Sequence, residues 1–314
     1  MKARLPFVML LASAPLMLRA QAPDSTLIRK ADELVNARDC KGAEQMLAPL
    51  LTRRPPHPQA IIAKARCHLR TGGDATESLK ELQAALDQGS RRFDIIVYRG
   101  DLYNDMRMFD RADADLTEAV ELASDTADLV LALNRRAWNS TQMRRAGNAR
   151  ADCERVLAMD STNRTALNNM GLAADQLGDT ALALRCLQRM IALDPKEPLA
   201  WLNSGFFLGS HGRHAEALAQ YAEAERLGAK DAYFLNNRGY SRLGVGDLKG
   251  ARKDMERSIE LNKTNPYAFR NLAHLELAAG NVRKACDAME QSLSLGFTRM
   301  YGEEIYQLRK QHCH

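Results

Sequence analysis

Six cysteines are the residues of this sequence whose type most plainly predicts chemistry. An even number of cysteines in an exported chain favours disulfides, whereas the same residues in the cytosol would favour metal binding or catalysis. Six cysteines allow fifteen complete pairings, so their count alone does not choose between them. The six are Cys40, Cys67, Cys153, Cys186, Cys286 and Cys313.

The histidines and acids do not predict a catalytic or metal site. The sequence ends in His-Cys-His, and His211 and His214 share a predicted turn, but neither group supplies the four ligands of a structural zinc site. Paired acids such as Glu303 and Glu304 are typical of a solvated helix surface. Phosphate loops, nucleophile elbows and metalloprotease signatures are absent from the sequence. We therefore predict a protein that is not an enzyme, with no catalytic residue, no metal and no cofactor.

The first 22 residues have the layout of a secretory signal peptide. Lys2 and Arg4 precede an apolar stretch, and small residues follow it at Ala20 and Ala22. The apolar stretch is shorter than the roughly 20 residues that cross a bilayer, although an uncleaved membrane anchor is the alternative. Cleavage would lower the formal net charge of +5 by three, to +2. A periplasmic or cell-envelope location is expected, and a nucleic-acid partner is not.

Two columns of small residues recur at intervals of about 34 residues, with the same irregular steps in both columns. Small residues let two helix backbones approach closely. Glycines between the columns, as at Gly178 and Gly246, predict tight turns, so each repeat is predicted to be helix, turn, helix. The first column is Ala31, Arg66, Gly100, Ala137, Gly171, Gly205, Gly239 and Ala273. The second column is Ala43, Ser78, Ala112, Ala149, Ala183, Ala217, Ala251 and Ala285.

Large apolar residues flank both columns at helical spacing, from Leu27 through Trp201 to Phe269 before the first, and from Leu47 through Tyr221 to Met289 after the second. This order of large and small residues resembles the tetratricopeptide repeat, most closely from Trp201 onward. The resemblance implies an all-α, right-handed α-solenoid of antiparallel helix pairs. It predicts a repeat array over 23–299 after a signal peptide over 1–22. The eight repeats are expected at about 24–58, 59–92, 93–129, 130–163, 164–197, 198–231, 232–265 and 266–299.

Three local features modify this expectation. Arg66 occupies a small-residue position and predicts irregular packing of the second repeat. Extra residues near Glu121–Asp128 are expected to lengthen the turn between the third and fourth repeats. Residues 300–314 predict a C-terminal capping helix, with Met300 or Tyr301, Ile305 and Leu308 on its packing face.

The solenoid also narrows the cysteine pairing, because each repeat contacts only its neighbours. Cys40 with Cys67 and Cys286 with Cys313 are then the favoured disulfides, one near each end of the array. Cys153 and Cys186 fall on successive second helices, where buried thiols and a third bridge are both possible.

In the resembling family the first helices line a concave groove that binds peptides, and Asn at one groove position often contacts them. The resemblance therefore predicts a protein or peptide partner, held by a ladder of Asn side chains with aromatic anchors. Hydrogen bonds from these Asn to a neighbouring helix are the alternative. Asp94, Asp101 and Asp105 lie near Arg135 and suggest a partner with a basic segment beside an apolar one. The predicted groove residues are Arg135, Trp138, Asn169, Asn203, Phe206, Asn237, Tyr240, Tyr267 and Asn271.

Two functional hypotheses remain at this point. The first is a non-catalytic scaffold or adaptor that binds an extended peptide or partner protein in the groove. The second is a structural or assembly subunit of a cell-envelope complex, acting through its convex face or through self-association by Met300, Tyr301 and Leu308.

Overall fold

The computed structural model describes residues 22–297 and 302–313. The predicted leader up to residue 21, Met300, Tyr301 and His314 lie outside the described residues. Within the described ranges the chain forms seventeen helices and no strand. Consecutive helices pack against one another within residues 22–176 and within residues 198–294, which confirms the predicted all-α solenoid class. No described helix combines the length and the apolar character that a membrane crossing needs.

The described chain divides into two compact units, which meet between Ala183 and Leu184. We call them the N-terminal unit and the C-terminal unit. The N-terminal unit contains α1 (Ala22–Asn36), α2 (Cys40–Leu51), α3 (Pro58–Arg70), α4 (Ala75–Asp87), α5 (Arg92–Asp105), α6 (Phe109–Leu122), α7 (Thr126–Gln142), α8 (Ala146–Met159) and α9 (Arg164–Gln176). Helix α10 (Thr180–Leu193) contains the boundary. The C-terminal unit contains α11 (Pro198–Ser210), α12 (His214–Arg226), α13 (Ala232–Gly244), α14 (Leu248–Leu261), α15 (Pro266–Ala278), α16 (Val282–Ser294) and α17 (Glu304–His312). We call odd-numbered helices up to α15 first helices and even-numbered ones second helices.

Helix boundaries follow from local side chains. Asn163 accepts a hydrogen bond from the Ala166 N–H at the start of α9, and Asp247 accepts one from the Gly250 N–H at the start of α14. Proline stands in the first turn of α11 and α15, where its missing N–H leaves no helical bond unmade. Gly246 takes a φ of 85° after α13, a conformation that only glycine adopts without strain. These signals end one helix and begin the next within a few residues.

The two small columns lie where the helices of a pair pack together. Apart from Arg66, every residue of both columns is buried. A Cβ added to Gly205 would lie 2.6 Å from the Tyr221 ring, and one added to Gly239 would lie 3.0 Å from the Met255 Cγ. The large residue that follows the second column therefore fills the space that the glycine of the first column leaves open.

Two expectations need adjustment. Arg66 is half-buried, and its guanidinium donates to the Asp32 Oδ1 at 2.9 Å, so the large side chain is accommodated by an ion pair with the preceding first helix. The extra residues near Glu121–Asp128 do not lengthen the turn, because α6 ends at Leu122 and α7 already begins at Thr126. They extend α7 instead, which has 17 residues where α9 has 13.

Helix α17 packs at the C-terminal end of the array. Ile305 is fully buried, and Leu308 packs against the same apolar cluster as Met289 and Phe297. The Phe297 ring meets the Tyr267 ring edge-on, with centroids 5.5 Å apart. The last helix pair is thus covered by apolar contacts from residues that follow it.

Candidate functional site

The structure brings two cysteine pairs together. The Cys40 and Cys67 Cα atoms lie 5.5 Å apart and their sulfurs lie within bonding distance, which links α2 to α3. The Cys286 and Cys313 Cα atoms lie 5.8 Å apart with the same result, which links α16 to the residue after α17. These are the two pairs that the sequence favours, and both separations suit a disulfide.

The histidines make contacts of a structural kind. The His211 ring stacks on Phe207, and its Nδ1 lies 2.8 Å from the Phe207 carbonyl oxygen. His214 meets the Tyr240 ring edge-on at 5.5 Å, and burial lowers its pKa. Across residues 22–297 and 302–313, no group of three His, Cys, Asp or Glu side chains is arranged to hold a metal ion.

Three predicted groove residues lie in the N-terminal unit. Trp138 is half-buried on α7. The Arg135 Nε lies 3.2 Å from the Asp101 Oδ2 on α5. Asn169 is fully buried, and its Nδ2 donates to the Asn134 backbone carbonyl at 3.0 Å. Asn169 therefore joins α9 to α7, which is the alternative role considered for the Asn column.

Asp101 has an unusual titration behaviour for a surface-facing helix residue. Burial raises its pKa to about 6, the charge of Asp105 adds to this effect, and Arg135 opposes it. Burial also raises the pKa of Asp105, which is exposed one helical turn later. Arg135 on α7 is thus the positive charge that lowers the pKa of both carboxyl groups on α5.

The other six predicted groove residues lie in the C-terminal unit. Asn203 is buried, whereas Phe206 and Asn237 are half-buried. Tyr240 is half-buried, and the Arg270 guanidinium stands 5.6 Å from its ring centroid. Tyr267 is buried against Phe297.

The last member of the Asn column is also engaged within the protein. Asn271 is buried, its Nδ2 donates to the Asn236 Oδ1 at 3.0 Å, and its Oδ1 accepts from Arg270 at 2.8 Å. Asn237 is the one of the four Asn that keeps partial exposure. A peptide-binding role for the column stays a prediction, and Asn237 is its most accessible member.

Several polar bonds between successive odd-numbered helices, α17 included, were missed by the sequence analysis, which had placed only Asp101 near Arg135. Each joins residues about one repeat apart, so complementary side chains at that spacing were the available signal. In the N-terminal unit the bonded residues are Asp32 with Arg66, Asn36 with Arg70, Asp101 with Arg135, and Thr141 with Gln176. In the C-terminal unit Asn236 bonds Asn271, and Arg270 bonds Glu304.

A second missed feature joins the two helices of a pair. Arg238 donates two hydrogen bonds of 2.7 Å to the carboxylate of Asp254, sixteen residues later. The same paired geometry occurs from Arg99 to Asp115 and from Arg136 to Asp152. Because the three aspartates are buried, two parallel hydrogen bonds are needed to offset the loss of hydration.

Glu304 at the start of α17 has polar partners on α15. It accepts from Arg270 at 2.7 Å and 2.9 Å and lies 3.0 Å from the His274 Nε2. Burial acts to raise its pKa, but the bonds from His274 and Arg270 outweigh burial and hold the pKa at about 2. Polar side chains of α15 thereby hold the start of α17 against this first helix.

The comparisons with known proteins agree with this architecture. A tetratricopeptide-repeat family model matches residues 28–92 and 168–232. No curated protein shows a significant sequence match. A tetratricopeptide repeat protein from Parabacteroides merdae superposes with a TM-score of 0.66 at 17% identity, covering 81% of this chain and 98% of its own.

Two further solved structures share the fold. Yeast Tom70 superposes with a TM-score of 0.62 at 14% identity, over 99% of this chain and 67% of its own. A thermophilic TPR protein of Thermus thermophilus superposes with a TM-score of 0.50 at 18% identity, over 58% of this chain and 96% of its own. The family model thus matches two segments of the chain, and the solved tetratricopeptide-repeat structures share its helix-pair fold.

Proposed function

We propose that this protein is a non-catalytic scaffold that binds an extended segment of a partner protein on the faces of its first helices. The observation that carries the proposal is a half-buried aromatic residue at the same position of three first helices, α7, α11 and α13. Trp138 supplies it in the N-terminal unit, and Phe206 and Tyr240 supply it in the C-terminal unit. Large aromatic side chains on an accessible face are typical binding anchors.

The surrounding polar groups suggest what each unit binds. In the N-terminal unit two carboxyl groups, Asp101 and Asp105, face one Arg135, so a basic side chain is favoured next to the apolar group on Trp138. In the C-terminal unit the half-buried Asn237 can donate to and accept from the backbone of a peptide. We also propose that residues 23–299 form eight repeats and that residues 300–314 form a C-terminal cap.

The test is crosslinking in the envelope fraction followed by affinity purification and mass spectrometry. Trp138→Ala and Tyr240→Ala should each lose the partner that the unaltered protein captures. Tyr306→Ala is the matched control, because Tyr306 is exposed on α17, away from the first helices. Retention of the same partner by the Trp138 and Tyr240 variants would remove the first-helix faces from the interaction.

The Asn column is tested one residue at a time. Asn237→Ala should weaken partner binding without changing the melting temperature, because the side chain is only half-buried. Asn169→Ala should instead lower the melting temperature, since it removes the bond to the Asn134 carbonyl. The reverse pattern would assign Asn237 to stability and not to binding.

We also propose that the protein is exported, that its leader is cleaved after residue 20 or 22, and that the two close cysteine pairs form disulfides in the envelope. Each closed loop would stabilise its end of the array by about 3–4 kcal/mol. Intact-mass analysis of the mature protein should show the leader missing and two hydrogen atoms lost per bridge. A full-length, fully reduced mass would contradict export.

Self-association through the C-terminal helix is the second candidate function. Tyr306 on α17 keeps 49% of its surface exposed, whereas Leu308 packs into its own unit. Light scattering should then report a multimer that Tyr306→Glu converts to a monomer. A monomeric mass for the unaltered protein would discard this candidate.

A further inference from the structure

Three arginines occupy turn positions that are strained for any residue with a side chain. Arg38, Arg107 and Arg144 have φ angles of 63°, 59° and 56° in the turns between the helices of a pair. Other such turns place Gly178, Gly212 or Gly246 in this conformation. The left-handed conformation is unfavourable for a residue other than glycine, because its Cβ lies too close to the following carbonyl oxygen. An exposed arginine at such a position suggests that its guanidinium has a role outside the turn.

Two of these turns belong to neighbouring helix pairs of the N-terminal unit. Arg107 precedes α6 and Arg144 precedes α8. Arg145 donates to the Asp113 Oδ2 on α6 at 3.0 Å, which joins the second turn to the first turn of α6. Arg111, also exposed on α6, stands over the Tyr103 ring at 5.8 Å. We call Arg107, Arg111, Arg144 and Arg145 the arginine patch.

The patch is only partly neutralised within the described residues. Asp113 and the 91% exposed Asp110 both face Arg145, at 3.0 Å and 3.6 Å. Arg107 and Arg144 make no hydrogen bond or ion pair with any side chain of the described chain. By contrast, the glycine turns at Gly178 and Gly246 are each followed by an aspartate that accepts a backbone N–H of the next helix. These two arginine turns therefore expose positive charge that the turns at Gly178 and Gly246 lack.

We infer that the arginine patch binds an acidic segment of a partner protein, at a surface separate from the faces of the first helices. Each planar guanidinium group can donate two parallel hydrogen bonds to a carboxylate, and the two turns can engage two acidic residues of one segment. A bilayer is the less suitable partner. Membrane-binding sites use clusters of about four to eight basic residues, and here Asp110 and Asp113 reduce the patch to a small net charge.

The probe is a fluorescein-labelled octaglutamate peptide, titrated with the full mature protein and followed by fluorescence anisotropy at low salt. The double variant Arg107→Glu with Arg144→Glu should weaken binding by about tenfold or more. Arg38→Glu is the matched control, since Arg38 is an exposed left-handed arginine in a turn outside the patch, next to Asp39. It should keep the affinity within about twofold. Equal affinities for the unaltered protein and the double variant would overturn the inference.

A second variant separates binding from folding. Arg107→Gly with Arg144→Gly removes both charges and places glycine where the left-handed conformation is unstrained, so the melting temperature should not fall. Loss of octaglutamate binding by this stable variant supports the inference, and retained binding overturns it. Trp138→Ala should leave the peptide affinity unchanged. Sedimentation with phosphatidylglycerol vesicles without any peptide binding would assign the patch to a membrane surface instead.

Discussion

Two acid–arginine pairs, one in each unit, have nearly the same exposure but opposite titration behaviour. The Asp101 side chain in the N-terminal unit is 27% exposed, and Glu304 in the C-terminal unit is 25% exposed. Burial acts to raise the pKa of both. The pKa of Asp101 nevertheless stands at about 6 and that of Glu304 at about 2.

The difference lies in hydrogen bonding and neighbouring charge. Glu304 accepts two short bonds from Arg270 and faces His274 as well, whereas Asp101 meets Arg135 through a single 3.2 Å contact and has Asp105 nearby. A nearby arginine is therefore not enough to offset burial, which is the main cause of the raised pKa of Asp101. At Glu304 the hydrogen bonds from His274 and Arg270 outweigh burial and lower the pKa.

The largest effect should come from removing the arginine of the stronger pair. Arg270→Ala leaves Glu304 half-buried without its paired donors and should destabilise the C-terminal unit by about 3–5 kcal/mol. Urea denaturation monitored by circular dichroism measures the change. Arg135→Ala, the equivalent change in the weaker pair, should cost clearly less. Equal losses of stability in the two variants would show that the number of hydrogen bonds to the carboxyl group does not determine how much each pair contributes.

Acid titration should reveal the Glu304 bonds next. A lowered folded-state pKa gives stability that is complete above the ordinary value of 4.5 and is lost as the pH falls toward about 2. The loss is on the order of 3 kcal/mol. Hydrogen exchange of the α17 amides across this range measures it, and Glu304→Gln should remove the pH dependence. Unchanged protection of α17 at low pH would contradict the assignment.

The contribution of Asp101 to folding stability should depend on pH with the opposite sign. Because its pKa is raised, this contribution is most favourable below pH 3.8 and becomes less favourable as the pH rises through about 6. Asp101→Asn removes the buried charge, so at neutral pH we expect a gain of about 1–2 kcal/mol despite the lost contact with Arg135. Thermal unfolding at several pH values tests this. A variant that is less stable at pH 7 would show that the Arg135 contact dominates.

The smallest effect concerns Asp105. Asp105→Asn removes the like charge near Asp101 and should bring the Asp101 pKa modestly back toward 3.8. NMR titration of the Asp101 carboxyl carbon measures it directly, with the folded stability changed by less than about 1 kcal/mol. An unaltered Asp101 titration would show that Asp105 does not contribute to the raised pKa and that burial alone accounts for it.

The sequence predicted the helices better than the polar contacts. Each repeat needs small residues where its two helix backbones pack closely and a glycine where the chain turns. These requirements recur at a fixed spacing, so Gly205 and Ala217 could be placed from the sequence. The bond from Asn169 to the Asn134 carbonyl depends on side-chain direction after packing, which periodicity does not specify. The sixteen-residue spacing from an arginine to an aspartate could have been predicted, because it recurs in three repeats. It starts at Arg99, Arg136 and Arg238.

The extra residues before α7 show the limit of the repeat pattern. An insertion between two helices can lengthen either the turn or a helix, and the column spacing is the same in both cases. Residues 126–142 favour the helix because Asp125 accepts the Asp128 N–H and starts it early. The nine predicted groove residues likewise fell on first helices as expected, but their burial depended on neighbours in the adjoining repeat.

The contact between Gly205 and Tyr221 constrains how such a chain can change. A methyl group at position 205 fits only if Tyr221 is replaced by a smaller residue. A smaller residue at position 221 alone leaves a cavity next to Gly205. Gly239 with Met255 and Gly100 with Leu116 face a milder restriction, because an added Cβ would lie 3.0 Å from each side chain. We therefore expect substitutions at positions 205 and 221 to occur together, and a helix grafted from another repeat would supply only one of the two matched residues.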